Sequence, residues 1–131
     1  MNQEFYNIVD EICESDPRYK SGAYEFVMEA LAFSQKRFRR SKHVPGPELL
    51  EGIKELLMIK FGPMTLNVLT HWGIKVTDDF GNIVHNLVEQ RILKQDKEDN
   101  IDSFRNGFNF EEVFKQDYRR KLEKTISRMR Y

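Results

Sequence analysis

The stretch FGPMTLNVLTHWGIKVTDDFGNIVHNLVEQR, residues 61–91, decides the fold that this sequence predicts. After the opening glycine and proline, apolar residues recur at helical spacing until Gly73. A glycine after the last apolar position is typical of a left-handed C-terminal cap, so we expect a short helix over 63–72. Thr77 is the expected N-cap of a second helix over 77–91, which has its own apolar face.

Three helices are predicted before this stretch. Apolar residues at the i, i+3, i+4, i+7 spacing indicate helices over 2–14, 21–38 and 47–61, with Ser21 as the expected N-cap of the second. The breaker Val44–Pro47 separates the second from the third.

A different pattern follows, over residues 92–110. The turn pair Asn106–Gly107 lies among alternating aromatic residues in Phe104–Phe110, which is typical of a β-hairpin. Helices with a tight turn before the last, followed by a hairpin, form the order of elements in a winged helix-turn-helix.

The predicted fold class is therefore mostly α, a single helical domain over 1–131 with a small β-hairpin, winged-helix-like in its second half. N-terminal helices occupy 1–44, the winged-helix-like part 45–110, and a C-terminal basic amphipathic helix 111–131. The residues expected to share one core are Phe26, Leu31, Leu57, Leu69, Trp72, Ile83 and Leu87.

Composition is that of a globular domain. The chain has 131 residues, 40% hydrophobic and 32% charged, which is enough for one core. Its apolar runs are far shorter than the roughly 20 residues of a membrane-spanning helix, and its first residues lack the features of a signal peptide. We expect a cytoplasmic protein that does not bind membranes. Cys13 is the only cysteine, which excludes an intrachain disulfide.

Charge alternates along the chain although the net charge is zero. The net charge is −5 over residues 1–34, +4 over 35–60, −4 over 61–114 and +5 over 115–131. Dedicated nucleic-acid binders are usually basic overall, so the balance disfavours that class without excluding it.

Catalytic and metal-binding motifs are lacking in the sequence. His43, His71 and His85 belong to no known catalytic motif, and structural or surface roles are the favoured interpretation. The acidic loop that begins at Asp96 fails the calcium template, because Ile101 stands where glycine makes the turn and Gly107 where glutamate is needed. We predict no catalytic residues, cofactor or metal, and hence no enzyme. The three histidines would be the first ligands to test if a metal were found.

Two basic regions are candidate polyanion sites. The first, here called the basic cluster, contains five cations within residues 36–42, and the second is the C-terminal helix. Cations at a helix C-terminus also compensate the helix dipole, and this plainer interpretation is favoured. The candidate residues are Lys36, Arg37, Arg39, Arg40, Lys42, Arg119, Arg120, Lys124 and Arg128.

Nucleic-acid binding is expected to be weak and independent of sequence. Five phosphate contacts by the basic cluster would give a salt slope of about −4.5 on duplex DNA. Asp78 and Asp79, however, lie in the first turn of the would-be recognition helix and repel phosphates.

An apolar stripe also runs along the C-terminal helix. A helix with such a stripe is not left in water at low cost, so we expect it to pack on its own domain or on a second copy, which would make a homodimer. The stripe contains Phe114, Tyr118, Leu122, Ile126 and Met129.

Several strings, in this order, carry a family resemblance. They are KSGAYEFV at 20–27, HV at 43–44, ELLEGI at 48–53, FGPM at 61–64, WGI at 72–74 and DFGNIV at 79–84, continued by Asp102, Phe104 and FNF at 108–110. Over residues 5–114 the chain resembles a family of small uncharacterised bacterial proteins found mainly in planctomycetes, verrucomicrobia and related lineages. The resemblance implies a bacterial cytosolic protein and no reactive residues, because the family has no assigned activity.

The predicted function is noncatalytic interaction with another macromolecule, either another protein or a second copy. The alternative is a nucleic-acid or ribonucleoprotein binder that uses residues 36–42 and the C-terminal basic helix. An enzyme ranks third, because nothing in the sequence brings two reactive groups together.

Overall fold

The computed structural model describes residues 2–94 and 101–129, with the backbone alone at 101, 102, 116–118 and 121. Short 3-10 turns lie at Gly62–Met64 and Ile101–Phe104, and a π-helical turn at Glu111–Gln116 leads into the last helix. The first five helices lie within two residues of their predicted ranges. The helices are α1 Gln3–Ser15, α2 Ser21–Arg37, α3 Gly46–Phe61, α4 Thr65–Trp72, α5 Thr77–Glu89 and α6 Asp117–Arg128.

Helix α2 is the centre of the fold. Helices α1, α3, α4 and α5 all contact it, with the most extensive packing against α3. Buried apolar residues of these five helices and of residues 104–114 form one continuous core. Of the seven predicted core residues, Leu31 is only partly buried, at the edge of the core. The others are confirmed as buried: Phe26, Leu57, Leu69, Trp72, Ile83 and Leu87.

Two glycines allow close contacts in this core. A Cβ at Gly52 would lie 1.8 Å from Ser34 Oγ, so α3 approaches α2 this closely because position 52 has no side chain. Gly73 ends α4 with a φ of 84°, the left-handed cap that its position predicted. A Cβ there would lie 2.2 Å from the carbonyl oxygen of Arg18.

The predicted β-hairpin is wrong, and with it the winged-helix-like fold, because no residue in 2–94 or 101–129 forms a strand. Asn106 does adopt a turn conformation, with a φ of 48°. The backbone groups beside it bond to a helix side chain instead of a second strand. Thr77 Oγ1 donates to the carbonyl oxygen of Phe104 at 2.6 Å and accepts from the N–H of Gly107 at 2.9 Å.

The aromatic residues that suggested a strand pack as a cluster against α5. Phe104, Phe110 and Phe114 are buried. The ring of Phe110 lies 6.2 Å from that of Phe80 and 5.7 Å from that of Phe108, centroid to centroid. Burial of aromatic surface therefore organises this segment, and cross-strand pairing does not.

The beginnings of α2 and α5 also differ from the prediction. Ser21 and Thr77 are the first residues of their helices, and the N-caps are Lys20 and Val76. At α5 the capping acceptor is Asp79, whose Oδ2 accepts from the backbone N–H of residue 75 at 2.8 Å and of residue 76 at 3.1 Å.

Candidate functional site

The basic cluster lies at the C-terminal end of α2, and two of its arginines are paired with α3. Arg40 donates two hydrogen bonds to the carboxylate of Glu48, at 2.9 and 3.0 Å, and this bond holds the pKa of Glu48 below its usual value. Arg37 Nε lies 3.3 Å from Glu55 Oε2. These two cations are therefore partly neutralised within the chain.

The other three cations of the basic cluster are exposed, and none has an ion-pair partner among the described residues: Lys36, Arg39 and Lys42. Arg39 has a φ of 56°, because it occupies the left-handed position after α2 that usually takes glycine. Phe38 is half-buried and lies under the guanidinium of Arg37, 5.1 Å from ring centroid to Cζ. The cluster is thus a smaller cationic surface than the sequence indicated.

Two amides on the polar face of α5 are bonded within the chain. Asn86 Nδ2 donates to Asp16 Oδ2 and to the Tyr24 hydroxyl, both at 2.9 Å. Asn82 Nδ2 donates to the Tyr19 hydroxyl, also at 2.9 Å. These amides join α5 to the beginning of α2 and the turn before it.

Asp79 and Asp16 complete this polar network. The Tyr19 hydroxyl donates to Asp79 Oδ1 at 2.5 Å, and burial together with this bond raises the pKa of Tyr19 to about 12. Arg18 donates two hydrogen bonds to Asp16, at 2.8 and 2.7 Å. These bonds hold the pKa of Asp16 well below its ordinary value. The network is a structural connection, since its polar atoms satisfy one another.

Helix α6 presents an apolar surface to solvent. We call the three exposed residues the α6 stripe: Leu122 is 46% exposed, Ile126 56% and Met129 69%. The preceding π-helical turn is the main contact of α6, and there Phe114 is buried. Of the predicted stripe, Phe114 therefore packs on its own domain, whereas the three residues of the α6 stripe are exposed. The side chain of Tyr118 lies outside the described residues.

Helix α6 also carries cations. Four of them have exposed side chains in the described part of the chain: Arg119, Arg120, Lys124 and Arg128. A helix with exposed apolar residues within a cationic surface can bind an acidic groove, an anionic surface or a polyanion.

A pocket of about 520 Å³ lies between the end of α2, the connector after it, α5 and the residues that follow α5. His43 and His85 both line it, although 42 positions separate them in the chain. His85 Nε2 also lies 3.8 Å from Glu89 Oε1. His71, by contrast, is exposed in the last turn of α4, away from this pocket.

The structure also places the cysteine and the possible metal-binding side chains. Cys13 is half-buried, its Sγ lies 3.6 Å from the carbonyl oxygen of Tyr19, and burial raises the pKa of the thiol, which disfavours the nucleophilic thiolate. Among the described residues, no three acidic, histidine or cysteine side chains are placed to hold a metal ion. Most of the acidic loop tested for calcium lies outside those residues. Nor does any described helix have the length and apolar character needed to cross a membrane.

Comparisons with protein-family models, with curated proteins and with solved structures give no match to this chain. The resemblance to a bacterial family therefore stays a prediction from its sequence strings.

Proposed function

We propose that this protein is a noncatalytic interaction protein of the bacterial cytoplasm, and that α6 docks into an acidic, apolar groove on a different protein. The observation that carries the proposal is the exposed α6 stripe within a cationic helix surface.

The α6 stripe has the spacing of a helix that binds in a groove. Leu122, Ile126 and Met129 stand at i, i+4 and i+7, the positions that such helices use as anchors. Full burial of each side chain would contribute about 1.5 to 3 kcal/mol. A helix of 12 residues is marginal on its own in water, so a partner groove would also stabilise the helical conformation of α6.

Charge favours an acidic partner over a second copy. Residues 115–131 carry a net charge of +5, so two α6 helices packed together would repel each other. The 520 Å³ pocket on the body of the protein is lined by bases, including Lys42 and Lys94, and would repel α6 of a second copy as well.

Nucleic-acid binding is the second candidate. The exposed cations of the basic cluster and of α6 support it. Phosphate contacts would leave the α6 stripe in water, however, and a protein groove would bury it. For that reason we rank the protein partner first.

The test compares binding by three forms of the full-length chain in extract of the source organism. Leu122→Asp/Ile126→Asp changes the α6 stripe, and Ile59→Asp is the matched control, because Ile59 is 69% exposed on α3. We expect the wild type and the control to retain one acidic protein that the double variant loses. The purified components should then form a complex in sedimentation that higher salt weakens.

Three results would contradict this proposal. Retention of the same protein by the double variant would remove the role of the α6 stripe. Retained material that nuclease destroys would favour the nucleic-acid alternative. A wild-type chain that sediments alone as a dimer, with the double variant monomeric, would identify a second copy as the occupant.

A further inference from the structure

One side of the 520 Å³ pocket, here called its floor, is formed by aliphatic side chains that are not fully buried in the core. Five aliphatic residues on it are only partly buried: Leu31, Val84, Val88, Ile92 and Leu93. Pockets of small molecules usually measure about 300 to 1,000 Å³ and are mainly apolar with a few polar groups. The size and the floor of this pocket therefore suit the apolar body of a small ligand.

The charge of the lining is of one sign. Its ionisable side chains are Lys42, His43, His85 and Lys94, and no carboxylate is among the described residues that line it. Two acids among the described residues lie beside the lining: Glu89 Oε1 is 3.8 Å from His85 Nε2, and Glu48 interacts electrostatically with His43. The two lysines make no ion pair within the described residues, so they are available to an anion.

Neutral polar groups accompany the bases. Ser41 and Ser103 are part of the lining, and a serine hydroxyl can donate a hydrogen bond. Ser103 comes from the segment after α5, close to Gly46, where a Cβ would lie 2.4 Å from Ser103 Cβ. The pocket thus combines an aliphatic floor with cations and hydrogen-bond donors.

We propose that this pocket binds a small amphipathic anion, a molecule with one carboxylate or phosphate group on an apolar body. Charge complementarity selects the anionic group, and the aliphatic floor selects the apolar body. A metal ion is disfavoured because the described residues of the lining supply no carboxylate.

Decanoate is the probe, titrated into the full-length chain and followed by calorimetry and by amide chemical shifts. Decyl phosphate shows which anionic group the pocket prefers. Decanol and decylamine have the same ten-carbon alkyl group as the other probes, but decanol is neutral and decylamine is a cation. We expect saturable binding of one decanoate per chain, weaker binding of decanol and no saturable binding of decylamine.

Matched variants locate the site. Lys42→Gln/Lys94→Gln removes both lysines from the pocket, and Lys36→Gln/Arg39→Gln removes two exposed cations that do not line it. The first variant should weaken decanoate binding about tenfold, the effect of two exposed ion pairs, and the control should bind like the wild type. Val88→Phe, which fills part of the floor, should bind less decanoate without losing the fold.

The proposal is overturned if decylamine binds as tightly as decanoate, because binding would then be nonspecific adsorption. It is also overturned if Lys42→Gln/Lys94→Gln and Lys36→Gln/Arg39→Gln bind decanoate with the same affinity, or if decanoate does not saturate the wild type. The α6 variant Leu122→Asp/Ile126→Asp should bind decanoate normally, so failure here is distinguishable from failure of the proposed docking function.

Discussion

At the scale of single residues, Asp79 illustrates how the fold uses a charge that the sequence presents as a surface acid. Its two oxygens accept hydrogen bonds from the Tyr19 hydroxyl and from two backbone N–H groups at the beginning of α5. An acid near a helix N-terminus is favoured by the helix dipole. The carboxylate that we expected to repel DNA therefore stabilises the chain internally.

Replacement of Tyr19 by phenylalanine should lower the free energy of unfolding by about 1 to 3 kcal/mol, because half-buried Asp79 and Asn82 each lose a partner. Urea unfolding measures the change. Tyr6→Phe is the control, since the Tyr6 hydroxyl has one bond, to Glu25 at 3.1 Å, and its loss should cost less. If the two variants lose the same free energy of unfolding, the hydrogen bonds of Tyr19 stabilise the fold no more than the single bond of Tyr6.

Asp16 should make stability depend on acid pH. Its pKa in the folded chain lies below the ordinary 3.8, first because Arg18 donates to it and also because Asn86 does. Ionised Asp16 therefore stabilises the fold above pH 3.8, and this contribution is lost as the pH falls below 3.8 towards the folded pKa.

The check is the difference in unfolding free energy between wild type and Asp16→Asn, measured from pH 6 to pH 2.5. We expect the difference to be largest at the higher pH and to shrink below about pH 4. Arg18→Gln should reduce the pH dependence while retaining part of it, through Asn86. A difference that stays constant with pH would contradict the assignment.

At the scale of elements, the contact between α2 and α3 depends on a small residue. Ser34 Oγ is buried and has no hydrogen-bond partner among the described residues, and a Cβ at Gly52 would lie 1.8 Å from it. Close approach of the helices thus takes precedence over satisfaction of that hydroxyl.

Gly52→Ala should destabilise the protein by about 1 to 3 kcal/mol through overpacking, although alanine is the better helix former. Ser34→Gly removes the side chain that clashes with the alanine at position 52. The double variant should therefore lose less stability than the sum of the losses of the two single variants. Thermal unfolding of the four members of the double-mutant cycle measures this coupling. Additive effects would mean that the two side chains do not interfere.

At the scale of the whole molecule, α6 makes fewer contacts with the rest of the protein than the first five helices make with one another. The five-helix core is continuous, whereas the main contact of α6 is the turn that precedes it. Its role is consequently expected in binding and not in the stability of the body.

Truncation after Lys115 should shift the Tm by less than about 4 °C, which corresponds to about 1 kcal/mol for a domain of this size. Leu87→Ala is the comparison, because this fully buried residue should cost about 2 to 5 kcal/mol. Calorimetry of both proteins decides. A truncation that destabilises as much as Leu87→Ala would mean that α6 packs on the body.

The ion pairs of the basic cluster limit its affinity for nucleic acid. With Arg37 and Arg40 paired to acids, three cations remain, and they supply a salt slope of about −2.7 on duplex DNA where five would give about −4.5. In Lys36→Gln/Arg39→Gln/Lys42→Gln, the slope of log affinity against log salt concentration, measured by fluorescence anisotropy, should therefore become shallower by about 2.7. If Arg37→Gln/Arg40→Gln in that background removes about 1.8 more, the two ion pairs open on binding and the explanation by internal pairing is contradicted.

The sequence by itself determined the helices and the faces they bury. Leu57 and Leu87 repeat at helical spacing with their apolar neighbours, and Gly73 stands one position after such a run. These are local signals, because helix hydrogen bonds join residues four apart and the buried face follows from their periodicity. The sequence also identified the cations of the basic cluster and the apolar stripe of the C-terminal helix.

Only the tertiary structure decided how residues 104–110, the polar face of α5 and the histidines are used. Thr77 bonds to Phe104 across 27 positions, Tyr19 to Asp79 across 60, and Asn86 to Asp16 across 70. The Asn106–Gly107 turn is compatible with a hairpin or with a turn packed on a helix, and the choice depends on which distant donor and acceptor meet it. His43 and His85 likewise line one pocket because α2 and α5 pack together, a contact that no local pattern encodes.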